Sequence, residues 1–219
     1  MLRNTILIGG LCLVLVSCGG GGESNSASTV SVLSSGAKIF VTSRKHVADF
    51  KNDPLLQGTT AVTKADYFCN SDPIKPNSSN YKALIVDSVN RSPINNIDWV
   101  LKPNTTYYRP YNDIKIGVTT NTAIFPTLYA DLTNSIVDND MFAISDPATV
   151  PNGVWTGIYD ASTFAPSSQA NCDNWSMTAN SDFYYGALGT MNFKTVYAFS
   201  NIGGVGCNYK LSLYCVEQL

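Results

Sequence analysis

Four cysteines in the body of this 219-residue chain, Cys69, Cys172, Cys207 and Cys215, constrain its fold more than any other feature, because the segment before them predicts an oxidising compartment. Arg3 supplies a positive n-region and Thr5 to Val16 an apolar h-region. Leu15-Val16-Ser17-Cys18 then matches the box that bacterial lipoprotein signal peptidase cuts before cysteine. Residues 1–17 therefore read as a lipoprotein signal peptide, Cys12 is discarded with it, and Cys18 becomes a lipidated N-terminus. The apolar run is shorter than the ~20 residues a membrane-spanning helix needs. Two or three acyl chains, at ~0.8 kcal/mol per buried CH₂, hold a soluble domain firmly on a membrane. Gly19 rather than Asp after the cysteine favours outer-membrane delivery, so the cell envelope is the expected location. In that setting an even number of cysteines predicts two disulfides, and spacing alone leaves all three pairings open.

Residues 18–36 form the tether: Gly19-Gly20-Gly21-Gly22-Glu23-Ser24-Asn25-Ser26 and the small polar residues that follow bury nothing and behave as a flexible coil. Residues 37–219 remain, enough for one domain with a real core. Charged residues make up 14% of the chain and aromatics 11%, which describes a compact domain with an uncharged polar surface. The net charge of −2 becomes one unit more negative when Arg3 is removed. With a pI near 5.2 and no Lys/Arg stripe, nucleic acid is excluded as the main partner.

The local patterns predict an α+β domain, mostly antiparallel strands with two short helices and long loops. Lys38 to Ser43, Tyr81 to Val86, Val154 to Ile158, Val196 to Phe199 and Leu211 to Cys215 read as strands. Ala61, Val62, Ala65, Phe68 and Cys69 recur at helical spacing, so Thr60 to Cys69 is a short helix with its cysteine on the buried face. Leu128, Ala130, Leu132 and Ile136 after Pro126 suggest the second helix.

Ala65-Asp66-Tyr67-Phe68-Cys69 after Ile39-Phe40-Val41, followed by Tyr81-Lys82-Ala83-Leu84-Ile85-Val86-Asp87-Ser88, resembles the first part of an endostatin-like domain. Val154-Trp155-Thr156-Gly157, Cys172-Asp173-Asn174-Trp175, Gly186-Ala187-Leu188, then Cys207 and Cys215 around Tyr209, follow the endostatin order. The chain is similar as well to a bacterial lipoprotein domain of unknown function in the same C-type-lectin-like superfamily, over roughly Lys38 to Leu219. The resemblance implies a C-type-lectin-like fold with two nested disulfides, Cys69 with Cys215 and Cys172 with Cys207. Trp155 and Trp175 are then expected to pack in the core near the bridges.

The departures from these relatives bear on function. Calcium-dependent sugar-binding lectins use Glu-Pro-Asn or Gln-Pro-Asp with Trp-Asn-Asp, since calcium needs six to eight oxygens. Here Lys102-Pro103-Asn104 puts a base in the acid's place and Tyr111-Asn112-Asp113 lacks a partner loop, while Asp138-Asn139-Asp140 reads as a polar turn. No metal or cofactor is expected. The sole histidine, His46, is far in sequence from the cysteines and has no nucleophile motif around it, so it reads as an exposed surface residue and the chain as a non-enzyme.

Recognition is the remaining class. Asn104-Thr105-Thr106-Tyr107-Tyr108-Arg109-Pro110-Tyr111-Asn112 combines tyrosines, an arginine and small polar residues, the chemistry of loop paratopes. Asn180-Ser181-Asp182-Phe183-Tyr184-Tyr185 repeats that character. Tyr107, Tyr108, Arg109, Tyr111, Tyr184 and Tyr185 are the candidate ligand-binding residues of a membrane-tethered recognition module, with a protein ligand ahead of a glycan. The alternative is a structural envelope lipoprotein without a specific ligand.

Overall fold

The computed structural model describes residues 36–138, 152–167, 169–179 and 183–219, within the compact unit Leu33–Leu219. The signal segment, Cys18 and the tether before residue 36 lie outside the described residues, as do Asn139, Asp140, Asn180, Ser181 and Asp182. Among the described residues no helix is long and apolar enough to cross a membrane.

The architecture is mixed α+β and dominated by strands. In chain order the elements are β1 (Ala37–Val41), α1 (Ala61–Asn70), β2 (Tyr81–Ala83), β3 (Thr106–Tyr108), β4 (Lys115–Val118), β5 (Gly153–Trp155), β6 (Ile158–Asp160), β7 (Ala165–Pro166), α2 (Cys172–Trp175), β8 (Gly186–Thr190), β9 (Asn201–Val205) and β10 (Ser212–Glu217). The main sheet runs β4-β3-β1-β10-β5-β8-β9, with β2 also on β10, while β6 and β7 form a separate hairpin. The last strand is the hub. It pairs antiparallel with β1, Phe40 opposite Cys215, antiparallel with β2, Ala83 opposite Cys215, and parallel with β5, Leu213 beside Trp155.

Alternation along the hub strand feeds two cores, one on each face of the sheet. Tyr214 and Val216 join Ile39, Val41, Tyr107, Phe125 and Phe199 on one side. Leu213 and Cys215 join Phe40, Trp155, Trp175 and the buried stripe of α1 on the other. This explains why Ser212 to Val216 is buried throughout, where a one-faced sheet would alternate.

The first helix forms where the sequence predicts it because both ends are fixed. Thr60 caps it through a capping box: its hydroxyl accepts from the Thr63 amide at 3.3 Å, and the Thr63 hydroxyl accepts from the Thr60 amide at 2.9 Å. Asn70 then bonds both backbone groups of Tyr81, at 3.0 and 2.6 Å, and Asp66 accepts from the Ala83 amide at 2.8 Å, so α1 is tied to β2. Arg91, fully buried, donates twice to Asp66 at 2.7 Å and twice to Asp98 at 2.5 and 3.2 Å, tying the loop after β2 to the same helix. Burial works against charge on that guanidinium, but Asp66 and Asp98 more than offset it.

Two disulfides complete the frame. Cys69 on α1 is bonded to Cys215 on β10, Cα atoms 5.7 Å apart across a sequence separation of 146. Cys172 is bonded to Cys207, 5.8 Å apart across 35. This is the nested pairing that the endostatin resemblance implies. In the chain-entropy account a closed loop of the first length contributes about 5 kcal/mol and one of the second about 4 kcal/mol, less than additively when one encloses the other. Trp155 and Trp175 are buried beside the bridges with ring centroids 6.0 Å apart.

Several sequence expectations are corrected. Residues 128–136 are not helical: Tyr129 and Ala130 both turn back on the Pro126 carbonyl, and Leu132, Ile136 and Val137 spend their amides on Lys194 and Met191. Leu132, Ile136 and Val137 are buried, while Leu128 is 48% exposed, and the single turn closed on Pro126 does not continue as a helix. Val196–Ala198 is a 3₁₀ turn rather than a strand, capped by the Thr195 hydroxyl. The strand expected over Val154 to Ile158 is split into β5 and β6 at Gly157, whose φ is +69°. A Cβ there would lie 2.7 Å from both the Trp175 ring and the Val86 carbonyl, so the bend and the close approach require glycine. His46 is half-buried rather than exposed, its ring stacked on Phe50 at 4.5 Å and Nε2 2.7 Å from Asp53.

The short element α2 is unusual in hand. Cys172, Asp173, Asn174 and Trp175 all have positive φ, from 51° to 60°. For non-glycine residues this costs roughly 1–2 kcal/mol each. The Cys172–Cys207 bridge, the buried Trp175 and the Asn171 side chain, which accepts from the Asn174 amide at 2.9 Å, hold the turn in place. Asp173→Gly is expected to stabilise the domain by roughly 0.5–1 kcal/mol, read by thermal or urea unfolding, because glycine adopts this conformation without the Cβ clash. A right-handed turn would instead be destabilised by about 1 kcal/mol.

Candidate functional site

The two tyrosine-rich segments do not meet in one site. Tyr107 is fully buried, packs edge-on against Phe125 with centroids 5.6 Å apart, and accepts the Lys102 amide at 2.8 Å. Burial pushes its hydroxyl up to about 12. Arg109 is only 6% exposed. Its guanidinium donates to the Ser135 carbonyl at 2.9 Å and to the Ser135 hydroxyl at 3.1 Å, and pairs with Asp138. Both are therefore structural, because a sheet partly buried on each face consumes the tyrosine and arginine that a loop would display. Tyr108 is half-buried with the Lys38 ammonium 5.3 Å above its ring. Tyr111 is 53% exposed and donates to the Ile74 carbonyl at 2.6 Å. Together with Arg109 it borders a depression of only about 30 Å³, the room of a single water.

The second segment lies elsewhere. Tyr184 is half-buried against the α1-side core, and Tyr185 faces an open groove of about 550 Å³. Ile158, Tyr159 and Asp160 of β6, Tyr185 and Ala187, and Ser200, Asn201 and Gly204 line this groove. It is far roomier than the depression beside Arg109 and Tyr111 and carries the predicted residue Tyr185, so it is the candidate site.

The fold builds the groove in three steps. The Gly157 bend turns the chain out of the sheet, and the alternation of β6 then buries Ile158 and presents Tyr159, 62% exposed. Buried Thr156 anchors the bend by donating to the Phe199 carbonyl at 2.8 Å. On the far side, the Cys172 amide donates to the Tyr185 carbonyl at 3.1 Å, so the inner disulfide and the left-handed turn hold the segment that carries Tyr185. Gly204 has φ +45°, and a Cβ there would come within 2.1 Å of the Tyr185 ring. The ring thus lies directly on the β9 backbone, pre-positioned before any ligand arrives.

Asp160 is the one charged side chain among the described residues that line the groove. It accepts from the Ser162 amide at 2.8 Å, the Ser162 hydroxyl at 2.6 Å and the Thr163 hydroxyl at 2.9 Å. These bonds, Ser162's first, hold its carboxyl below the ordinary carboxylate value. Burial raises the Tyr185 hydroxyl, and neighbouring Tyr159 adds to that rise. Among the described residues no three His, Cys, Asp or Glu side chains converge as a metal site requires. Tyr159, Asp160 and Asn201 were absent from the expectation. The available signals were Gly157 followed by an in-out Ile158-Tyr159 pair, and the Asp160-x-Ser162-Thr163 turn.

A carboxyl depressed in the fold adds stability above its unfolded pKa and loses it as pH falls through the folded value. Asp160→Asn is therefore expected to melt below the unsubstituted protein at about pH 6, with the gap closing toward about pH 3. A pH-independent gap would show that the charge of Asp160 plays no part.

No curated protein matches the chain. A family profile described only as a protein of unknown function, DUF1554, matches residues 55–194, more than half of the sequence and most of the described domain. That span includes the candidate ligand-binding tyrosines, Cys69, Cys172 and the β6 side of the groove, and on this match the chain belongs to the DUF1554 family.

Proposed function

We propose that this protein is a non-enzymatic recognition module of C-type-lectin-like fold, tethered outside the cytoplasm through a lipid on Cys18 and binding a protein or glycan ligand. The fold assignment is supported by the antiparallel closure of β1 on β10, the helix α1 bridged to the last strand, and the nested disulfides. The localisation rests on the Leu15-Val16-Ser17-Cys18 box, which lipoprotein signal peptidase cuts before the cysteine.

The observation that carries the recognition reading is the groove. Two tyrosines, one carboxylate, one carboxamide and one serine hydroxyl surround an open cleft whose shape is set by backbone, glycine and disulfide constraints. Small-ligand and side-chain sites combine apolar rings with a few placed polar groups in this way. Tyrosine offers large contact area at low entropic cost.

The test is an array of matrix proteins and glycans probed with the intact lipoprotein. Tyr159→Ala with Tyr185→Ala is expected to weaken the specific signal by about tenfold or more, while Tyr108→Ala, outside the groove, leaves it in place. Cys18→Ser should move the protein from the membrane to the soluble fraction. No ligand at micromolar concentration, with an envelope defect on deletion, would favour the structural lipoprotein instead.

A further inference from the structure

The geometry points to a lysine or arginine side chain, presented by an exposed peptide segment of a protein ligand, as the occupant of the groove between β6 and the β8–β9 edge of the sheet. This deepens the recognition reading above and rests on it.

Charge complementarity carries the inference. The described residues that line the groove include an aspartate and two tyrosines but no lysine, arginine or histidine. Asp160 keeps its negative charge because three donors surround it, and each of those donors comes from its own hairpin rather than from a cation. A site of this kind repels phosphate, sulfate and carboxylate groups and attracts a cation. The tyrosine rings add to that preference, since the face of an aromatic ring is electron-rich and holds an ammonium or guanidinium above it. Tyr185 is fixed against Gly204, and Tyr159 stands largely in solvent on the opposite element, so one ring is a rigid wall and the other is available for contact.

The position of the groove favours a peptide over a free amine. A volume of about 550 Å³ exceeds what a small ammonium fills, and Asn201 and Gly204 of its wall belong to β9, the last strand in the sheet order. An extended segment can reach that edge and direct one long side chain inward, its aliphatic stem along Ile158 and Ala187 and its charge at Asp160. Asn201, whose amide donates to Thr190 at 3.2 Å, places a further carboxamide at the rim.

The experiment is an amide-resolved NMR titration of the folded domain with three blocked peptides of glycine carrying a central lysine, arginine or glutamate, and with a neutral oligosaccharide. The lysine and arginine peptides are expected to shift the amides of Tyr159, Tyr185, Ala187 and Gly204. The glutamate peptide should not. Affinity should fall about tenfold in Tyr159→Ala, recover in Tyr159→Phe, fall in Asp160→Asn, and weaken as ionic strength rises from about 0.05 to 0.5 M. Equal shifts from the glutamate peptide, or an affinity indifferent to Asp160→Asn, would overturn the assignment. Saturation of the same amides by the oligosaccharide alone would overturn the basic side chain while leaving the recognition reading intact. No shift at these amides with any probe, while the array still detects a ligand, would remove the groove as the site.

Discussion

The strand Ser212–Glu217 is held along both edges and through one of its own side chains. β1 and β2 flank its C-terminal half, β5 joins its start, and Cys215 is bonded to the helix packed over it. The two ends of the described domain are therefore adjacent strands, and everything between them has to leave and return. A chain of long, loop-rich excursions loses much conformational entropy on ordering. Clamping the ends and the helix to one strand removes a large part of that cost from the unfolded side. The two hydrophobic cores follow from the same strand, since its alternate residues supply one face each.

From this clamp the site is reached through a short series of contacts. The Trp155 indole donates to the His46 carbonyl at 2.8 Å and the Trp175 indole to the Val86 carbonyl at 2.9 Å, so the two buried tryptophans also fix the loops that leave β1 and β2. Trp175 closes the left-handed turn, the turn carries Cys172, and Cys172 bonds the Tyr185 backbone. Strain of the kind stored in four consecutive positive-φ residues persists only where the surroundings over-determine it. Here a disulfide and a buried indole supply that constraint one step from the groove.

What the sequence made legible was what local chemistry decides. The Thr60 cap, the helical stripe ending at Cys69, and the apolar run into Cys215 each declare their element. The strap over residues 128–136 did not, because its apolar spacing imitates a helix while its amides pair with Lys194 and Met191, far along the chain. Val196–Ala198 failed as a strand for a similar reason: β-favouring residues do not outweigh a threonine cap that closes a 3₁₀ turn. The candidate site was half legible. Tyr185 was identified from its neighbours, but Tyr107 and Arg109 have the composition of a paratope and the burial of a core, and only the β1–β3 pairing decides between them. Tyr159 escaped because its exposure depends on the bend at Gly157, which the packing of Trp175 imposes.

The central claim is that α1 and the last strand are covalently joined, with the second bridge nested inside. Non-reducing peptide mapping of the protein, isolated without reductant, tests it most directly. The account predicts peptides linking Cys69 to Cys215 and Cys172 to Cys207. A Cys207 to Cys215 link, or four free thiols, would contradict it and with it the placement of the groove.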